Sequence, residues 1–208
     1  MEILTNYFWI FVLGSFIGWL CESLWCILKY KKVESRKGLI YGYFIPIYGI
    51  ATLFISLFVN IFNINNYWLF FFLTFLICGV VEYVSSIFQE ECFETRSWDY
   101  SEMFLNINGR VNILYLSIWS IMGIFWCKYS RIMLNFLFDL LIKIGLLYEI
   151  TIISLIFMLY NLFISFVSVY RWKLRRKGIK AKNRYELWLD KKYNDEMLKK
   201  IYANSVVI

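Results

Sequence analysis

A short polar stretch, residues 98–110, carries many of the side chains in this sequence that could bind a ligand or move a proton. It contains two carboxylates, two asparagines, a tyrosine, a glycine and an arginine, and it lies between two segments apolar enough to cross a bilayer. A loop of this polarity between two spans is more typical of a binding site than of a simple connection. Its candidate binding residues are Trp98, Asp99, Tyr100, Asn106, Asn108 and Arg110.

Two further carboxylates, Glu22 and Glu82, lie inside apolar segments. Each precedes the polar end of its segment, marked by Lys29 or Gln89, by about seven residues, which places both about 10 Å inside the same membrane face. An ionised carboxylate in lipid costs several kcal/mol unless it has a partner. Gly18 shares a helical face with Glu22 and would let a neighbouring helix approach closely. We therefore expect the two glutamates to meet inside the bundle.

Matching depths place other polar residues beside these two glutamates. We expect one polar pocket that opens to the cytosol, formed by Glu22, Arg36, Tyr41, Tyr48, Glu82, Trp98, Asp99, Tyr100, Asn106, Asn108 and Arg110. The same residues could instead form a purely structural network, in which Glu22 or Glu82 pairs with Arg36 or Arg110 and holds helices together. The residue types alone do not choose between a functional pocket and a structural network.

The composition is that of an integral membrane protein. Of 208 residues, 61% are hydrophobic and 22% aromatic, which exceeds what a water-soluble domain of this size can bury. The net charge of +7 does not indicate nucleic-acid binding, because twelve of the twenty-two basic residues follow Val169 and most of the others flank apolar segments. The chain has no histidine and no CxxC pair among its five cysteines. We expect neither a metal site nor a cofactor.

The apolar segments predict an all-α, polytopic transmembrane helix bundle. Residues 131–147 are apolar but short, so we expect an outer-leaflet or re-entrant helix there, or a sixth span. The only proline, Pro46, would kink the second span. The transmembrane domain would occupy residues 1–170 and a basic tail residues 171–208, with five spans at about residues 4–28, 40–62, 67–88, 111–127 and 150–170.

Clusters of basic residues predict the orientation of the chain. Residues 29–37 and residues 171–177 each carry five lysines and arginines, which favours a plasma-membrane protein with its amino terminus outside and its carboxyl terminus in the cytosol. The uncharged turn 63–66 would then be external. Anionic lipid would hold the second basic cluster. Residues 183–202 predict either an amphipathic helix on the inner membrane surface or a solvated, charged helix.

Several short strings in the first two thirds of the chain resemble one bacterial family. They are Gly18-Trp19 with Glu22, Arg36-Lys37-Gly38-Leu39, Pro46-Ile47-Tyr48-Gly49, Glu82, Trp98-Asp99-Tyr100-Ser101 and Asn106-Ile107-Asn108-Gly109-Arg110. The resemblance is to the CmpB-like membrane proteins classed with type IV ABC transporters, and it spans about residues 7–127. It implies a role in transport. Because the chain has no GxxxxGK[ST] phosphate-binding loop, any ATPase would be a separate partner subunit.

Three classes of function fit these observations. The first is a permease-like transport component, in which surplus carboxylates favour a cation or a proton-coupled solute. The second is an intramembrane enzyme acting on a lipid or isoprenoid head group, with Glu22, Glu82 or Asp99 as general acid or base and Arg36 or Arg110 holding phosphate. The third is a structural or regulatory membrane protein that binds another membrane protein through its loop and tail.

Overall fold

The computed structural model describes residues 2–62 and 66–208, and it is an all-α bundle. Most of the predicted turn 63–66 lies outside the described residues. Asn66 is described, and its side chain caps the amino-terminal end of the third helix by accepting from Trp68 N at 2.8 Å. The helices are α1 Glu2–Tyr30, α2 Pro46–Phe62, α3 Tyr67–Phe93, α4 Ile113–Lys143, α5 Leu147–Arg176, α6 Arg184–Lys192 and α7 Asp195–Ile201.

The first five helices form the apolar part of the bundle. Four of them, α1, α3, α4 and α5, are long and apolar enough to cross a membrane, whereas α2 has only 17 residues and extends about 26 Å. Many large apolar side chains on these helices remain outside the core, such as Leu76 with 65% exposure and Phe72 with 60%. A membrane protein exposes such side chains to lipid rather than to water.

The start of α2 differs from the predicted second span, which began at residue 40. The helix begins at Pro46, and residues 31–45 form a loop. Proline suits the first helical position, where its missing N–H would have no helical partner, and it disfavours helix in the preceding residue. Pro46 therefore starts the helix rather than kinking it. The α5 side chains Asn161 and Ser165 hold the end of this loop by bonding Tyr41 and Ile40.

The prediction of a separate helix over residues 131–147 is wrong. Helix α4 runs without interruption from Ile113 to Lys143 and ends only before Gly145, whose φ of +70° marks the turn into α5. The second half of α4 is buried along one side, because Leu134 and Leu141 pack into a cluster with Trp9. Nothing in the sequence around residue 128 breaks a helix, and this packing supports the additional turns.

Successive helices run in opposite directions, so three polar segments meet at one end of the bundle. We call this the loop end, and it comprises residues 31–45, 94–112 and 177–208. Ser35 Oγ donates to Ile201 O at 2.6 Å, and Lys177 Nζ donates to Glu94 Oε1. These bonds connect the tail to each of the other two segments. The opposite end is closed by apolar packing and by a bond from Trp9 Nε1 to Thr151 Oγ1 at 3.0 Å.

Two short antiparallel sheets at the loop end were not predicted. Strand β1, Thr95–Arg96, pairs with β4, Val206–Val207, in the register Thr95↔Val207. Strand β2, Asn106–Ile107, pairs with β3, Val111–Asn112, in the register Asn106↔Asn112. The first sheet returns the carboxyl-terminal residues to the end of α3. The second sheet makes the polar stretch 98–110 an ordered hairpin.

The secondary structure of the tail also differs from the single helix that was predicted over residues 183–202. The tail forms two helices, α6 and α7, each capped by an asparagine side chain, Asn183 and Asn194. Their apolar residues Leu189 and Leu198 are at most 1% exposed and pack in a cluster with Trp172 of α5. These two leucines are thus covered by protein, because the break between the two helices folds them onto α5.

The predicted boundary at residue 170 falls inside α5, which continues to Arg176. The basic cluster that begins there is engaged in ion pairs within the protein. Arg171, which is only 4% exposed, donates two hydrogen bonds to the Asp190 carboxylate at 2.7 and 3.1 Å. Arg175 bonds Asp190 and Asp195. The binding of anionic lipid to this cluster stays a prediction, and it would have to compete with these contacts.

Candidate functional site

Glu22 lies on the part of α1 that faces α2, near the loop end. Tyr48 OH donates to Glu22 Oε1 at 2.5 Å. The tyrosine ring reaches this position because Gly18 has no side chain; a Cβ there would lie 2.3 Å from the ring. Trp119 of α4 contacts the other side of Tyr48, with ring centroids 5.0 Å apart. The sequence Gly18, Glu22 and Tyr48 therefore specifies a close α1–α2 contact with a carboxylate at its edge.

Glu82 lies on α3 and is 8% exposed. Its Oε1 accepts a hydrogen bond from Tyr100 OH at 2.9 Å, whereas its Oε2 is buried and has no hydrogen-bond partner. Glu22 is close enough to repel Glu82 electrostatically. We call Glu22, Tyr48, Glu82 and Tyr100 the carboxylate cluster. A buried carboxylate oxygen without a donor is costly, and a proton or a small cation would satisfy it.

Tyr100 enters the cluster from the loop between α3 and α4. Burial raises the pKa of its hydroxyl, and the negative charges of Glu82 and Glu22 raise it further. The hydroxyl is therefore a hydrogen-bond donor throughout the physiological pH range. Its ring stacks on Tyr115 with centroids 5.1 Å apart, and Tyr115 OH accepts a bond from Lys29 Nζ at 2.8 Å. Tyr100 thus connects the buried Glu82 to side chains at the loop end.

The hairpin 98–112 positions Tyr100 through bonds between its own residues. Tyr100 N donates to Gly109 O at 2.8 Å, and Gly109 N donates to Asn106 Oδ1 at 2.9 Å. Asn108 and Gly109 both have positive φ, 53° and 67°, and Arg110 N donates to Ile107 O at 3.0 Å, which is the geometry of a type I′ turn. A Cβ at Gly109 would lie 2.3 Å from Ser101 Oγ. The asparagines and the glycine of the stretch therefore have structural roles.

A separate ion-pair group lies beside the carboxylate cluster. Glu90 of α3 accepts from Arg110 and, at 2.8 Å, from Arg96, and Arg96 also bonds Asp99 at 2.7 Å. The pKa of Asp99 is below its ordinary value, because Ser101 donates two bonds to it and Arg96 is adjacent. Trp98 Nε1 donates to Arg110 O at 2.8 Å. These contacts attach the hairpin to the end of α3.

The predicted pocket is thus divided among different places. Glu22, Tyr48, Glu82 and Tyr100 come together. Trp98, Asp99, Asn106, Asn108 and Arg110 form the hairpin and its ion pairs, with Asn108 bonded to Tyr83 OH at 2.8 Å. Arg36 and Tyr41 lie elsewhere, because Arg36 bonds Cys26 Sγ at 3.2 Å and Tyr41 bonds Tyr193 OH at 2.7 Å. No arginine among the described residues bonds Glu22 or Glu82.

Sequence reasoning missed three participants at the loop end, namely Glu90, Arg96 and Tyr115. Glu90 follows Glu82 by eight residues, which returns to the same helical face after about two turns, so the spacing could have revealed it. Arg96 and Tyr115 had no comparable signal. In the ranges 2–62 and 66–208, no group of three cysteine, aspartate or glutamate side chains is arranged to hold a metal ion.

Residues 9–166 match the family described as "Putative ABC-transporter type IV". The chain belongs to this family. No curated protein and no solved structure matches this chain. The match extends beyond the predicted limit of residue 127 and includes all of α4 and most of α5.

Membership of this ABC-transporter family and the apolar helices together identify a membrane, transport-related protein. The matched range contains both glutamates of the carboxylate cluster and the whole hairpin. Helices α6 and α7 lie outside it. The carboxylate cluster therefore belongs to the part of the chain that matches the type IV family.

Proposed function

We propose that this protein is the permease-like membrane component of a transporter and that the carboxylate cluster handles a cation or a proton-coupled solute. The observation that carries the proposal is the unpartnered Oε2 atom of the buried Glu82. Ionisable groups inside a bundle are costly, and they commonly mark ion or proton pathways. Glu22 lies nearby on another helix, so a bound cation could be shared between the two carboxylates.

Tyr48 and Tyr100 support this function because each donates to one carboxylate oxygen, of Glu22 and Glu82 respectively. The second oxygen of each glutamate is left free to accept a ligand. A structural network would be expected to pair the carboxylates with arginines. Instead, Arg36 bonds Cys26 and Arg110 bonds Glu90. The same placement gives the lipid-enzyme hypothesis no support, since Arg36 and Arg110 bond Cys26 and Glu90 and not the two glutamates.

The proposal includes an orientation. The protein lies in the plasma membrane with its loop end in the cytosol and its amino terminus outside. The loop end and the helix ends that lead into it, residues 29–30 and 171–176, contain nineteen of the twenty-two lysines and arginines, as the positive-inside rule requires. Any ATPase subunit would bind there, because its nucleotide is cytosolic. The hairpin connects that surface directly to Glu82 through Tyr100.

Charge movement on ligand binding tests the proposal. Purified protein is reconstituted into liposomes on a solid-supported membrane and exposed to jumps in pH or in NaCl, KCl or MgCl₂ concentration. We expect a binding current for protons or one of these cations, which Glu82→Gln abolishes and Glu22→Gln weakens. Glutamine keeps the size and the hydrogen-bond acceptor but cannot bind a proton or carry charge.

Glu91→Gln is the matched control, because Glu91 lies on the same helix but is exposed. It should keep the current of the unmodified protein. Thermal unfolding in detergent monitors folding of each variant. The proposal fails if the unmodified protein gives no current with any of these ions, or if a folded Glu82→Gln variant keeps it.

A further inference from the structure

An open cleft of about 600 Å³ lies at the loop end, on the outer side of α1. It is formed by α1, the loop that follows it and the end of α7, and it contains neither Glu22 nor Glu82. One wall consists of Leu20, Leu24 and Ile27, which are 41%, 51% and 44% exposed. These residues share one face of α1 over about 10 Å. The wall is therefore an apolar strip on a membrane-facing helix.

The polar rim of this cleft is predominantly basic. It carries Arg36, Lys37 and Lys200 and a single carboxylate, Glu34, whose Oε2 lies 3.7 Å from Arg36 Nη2. Neither Lys37 nor Lys200 forms an ion pair with any residue in the described ranges. Arg36 Nε is buried and has no hydrogen-bond partner. The rim thus offers unsatisfied positive charge, unlike the paired cations at the end of α5.

Two aromatic side chains also line the cleft. Trp19 and Tyr43 both line the cleft, with ring centroids 4.5 Å apart, and Lys37 Nζ lies 4.5 Å from the Tyr43 ring centroid. Tryptophan and tyrosine are enriched at the level of lipid head groups. The cleft therefore combines apolar, aromatic and basic side chains, the three kinds that contact the acyl chain, the interface and the phosphate of a lipid.

We propose that this cleft binds one anionic phospholipid from the leaflet at the loop end. Its acyl chain lies along Leu20, Leu24 and Ile27, and its phosphate lies between Lys37 and Lys200. Charge complementarity and the apolar strip together select a lipid, because free phosphate would leave the strip uncovered. The site takes Lys200 from α7, which Ser35 holds in place through its bond to Ile201 O. The docked tail therefore completes the lipid site.

Native mass spectrometry of the full-length protein tests the proposal. The protein is exchanged into mixed micelles containing equal amounts of phosphatidylglycerol and phosphatidylcholine, and retained lipid is counted. We expect one tightly retained phosphatidylglycerol. The double variant Lys37→Gln with Lys200→Gln should retain on the order of tenfold less, since each lysine near an anionic head group contributes measurably to binding.

The control is Lys32→Gln with Lys199→Gln, which removes the same charge from the same loop and helix but outside the cleft. It should retain phosphatidylglycerol. Leu24→Trp keeps every charge, fills the apolar strip and should also reduce retention, so it tests the site if the lysine variant does not fold. The proposal is overturned if all variants retain phosphatidylglycerol equally, or if the control loses as much of it as the lysine variant does. It is also overturned if Lys37 and Lys200 are needed to retain a co-purifying protein and no lipid is retained.

Discussion

Glu82 is a carboxylate buried in an apolar bundle, and its hydrogen bonding is incomplete. Its Oε1 has one donor, Tyr100 OH, and its Oε2 has none. A buried polar atom without a partner costs roughly 1–3 kcal/mol, so the native state has retained an unfavourable group. Ser86, four residues further along α3, is 2% exposed, and its Oγ likewise has no partner. This concentration of unsatisfied atoms on one helix is what a bound ligand would relieve.

Replacing Tyr100 by Phe tests the importance of that one donor. The variant would leave both Glu82 oxygens without a hydrogen bond, so we expect a loss of about 1–3 kcal/mol in stability. Tyr115→Phe is the control, because Tyr115 only accepts a bond from the exposed Lys29, and its effect should be within about 0.5 kcal/mol. Thermal unfolding in detergent measures both. Equal stability of the two variants would contradict the argument.

The contact between α1 and α2 depends on glycine. Gly14 faces Thr52, Gly18 faces Tyr48, and Gly49 of α2 faces Ser15 and the backbone of Phe11. Small residues let helices approach closely where lipid supplies no hydrophobic driving force. These glycines therefore serve packing within one chain, and the approach they permit brings Tyr48 to Glu22.

Gly18→Ala should separate these two helices. Its Cβ would lie 2.3 Å from the Tyr48 ring, and overpacking of this kind costs about 1–3 kcal/mol or more. Gly79→Ala provides a comparison, because a Cβ there meets only Leu116 at 3.4 Å, so that variant should fold normally. The measurement is thermal unfolding together with the yield of monodisperse protein. Similar behaviour of both alanine variants would refute this account of the interface.

The whole molecule is closed at the loop end by its tail. Arg171 and Arg175 bond Asp190, and Lys173 and Lys177 bond Glu94 at the end of α3. Burial of Asp190 opposes its ionisation, but the bonds from Arg171 and Arg175 outweigh burial and lower its pKa. Hydrogen bonds from Lys177 and Lys173 lower the pKa of Glu94. The ionised carboxylates therefore contribute to docking of the tail.

Docking should consequently weaken in acid. Because the pKa of both carboxyl groups is lowered in the folded state, their contribution is complete above the ordinary values of about 4 and is lost as pH falls through the lowered ones. Asp190→Asn should imitate this at pH 7, since it leaves the buried Arg171 without its main partner, at a cost of roughly 3 kcal/mol. Hydrogen exchange of residues 184–201 measures docking.

Glu196→Gln serves as the control for the tail, because Glu196 is exposed on α7 and forms no ion pair with any described residue. Its exchange should match that of the unmodified protein. If Asp190→Asn also leaves exchange in α6 and α7 unchanged at pH 7, the ion pairs do not hold the tail.

Local sequence patterns correctly predicted the class of the fold, and matching depths placed Tyr48 beside Glu22, to which its hydroxyl donates. Apolar runs of span length, basic clusters at the ends of spans and glycines one turn apart are all local properties, and each has a direct physical consequence in a bilayer. The depth argument applies to Glu22 and Glu82 because a helix has a constant rise per residue. It did not work for Arg36 and Tyr41, since the loop that carries them has no such regular geometry.

By itself, then, the sequence determined an all-α membrane bundle, because hydrophobic length and helical rise depend only on residue order. The tertiary structure decided the partners of the glutamates in the carboxylate cluster, the continuity of α4 and the folding of the tail onto α5. Each of these depends on contacts between residues far apart in the chain, such as Tyr100 with Glu82, Leu134 with Trp9 and Arg171 with Asp190. Such contacts form only when packing brings the elements together, so no local pattern specifies them.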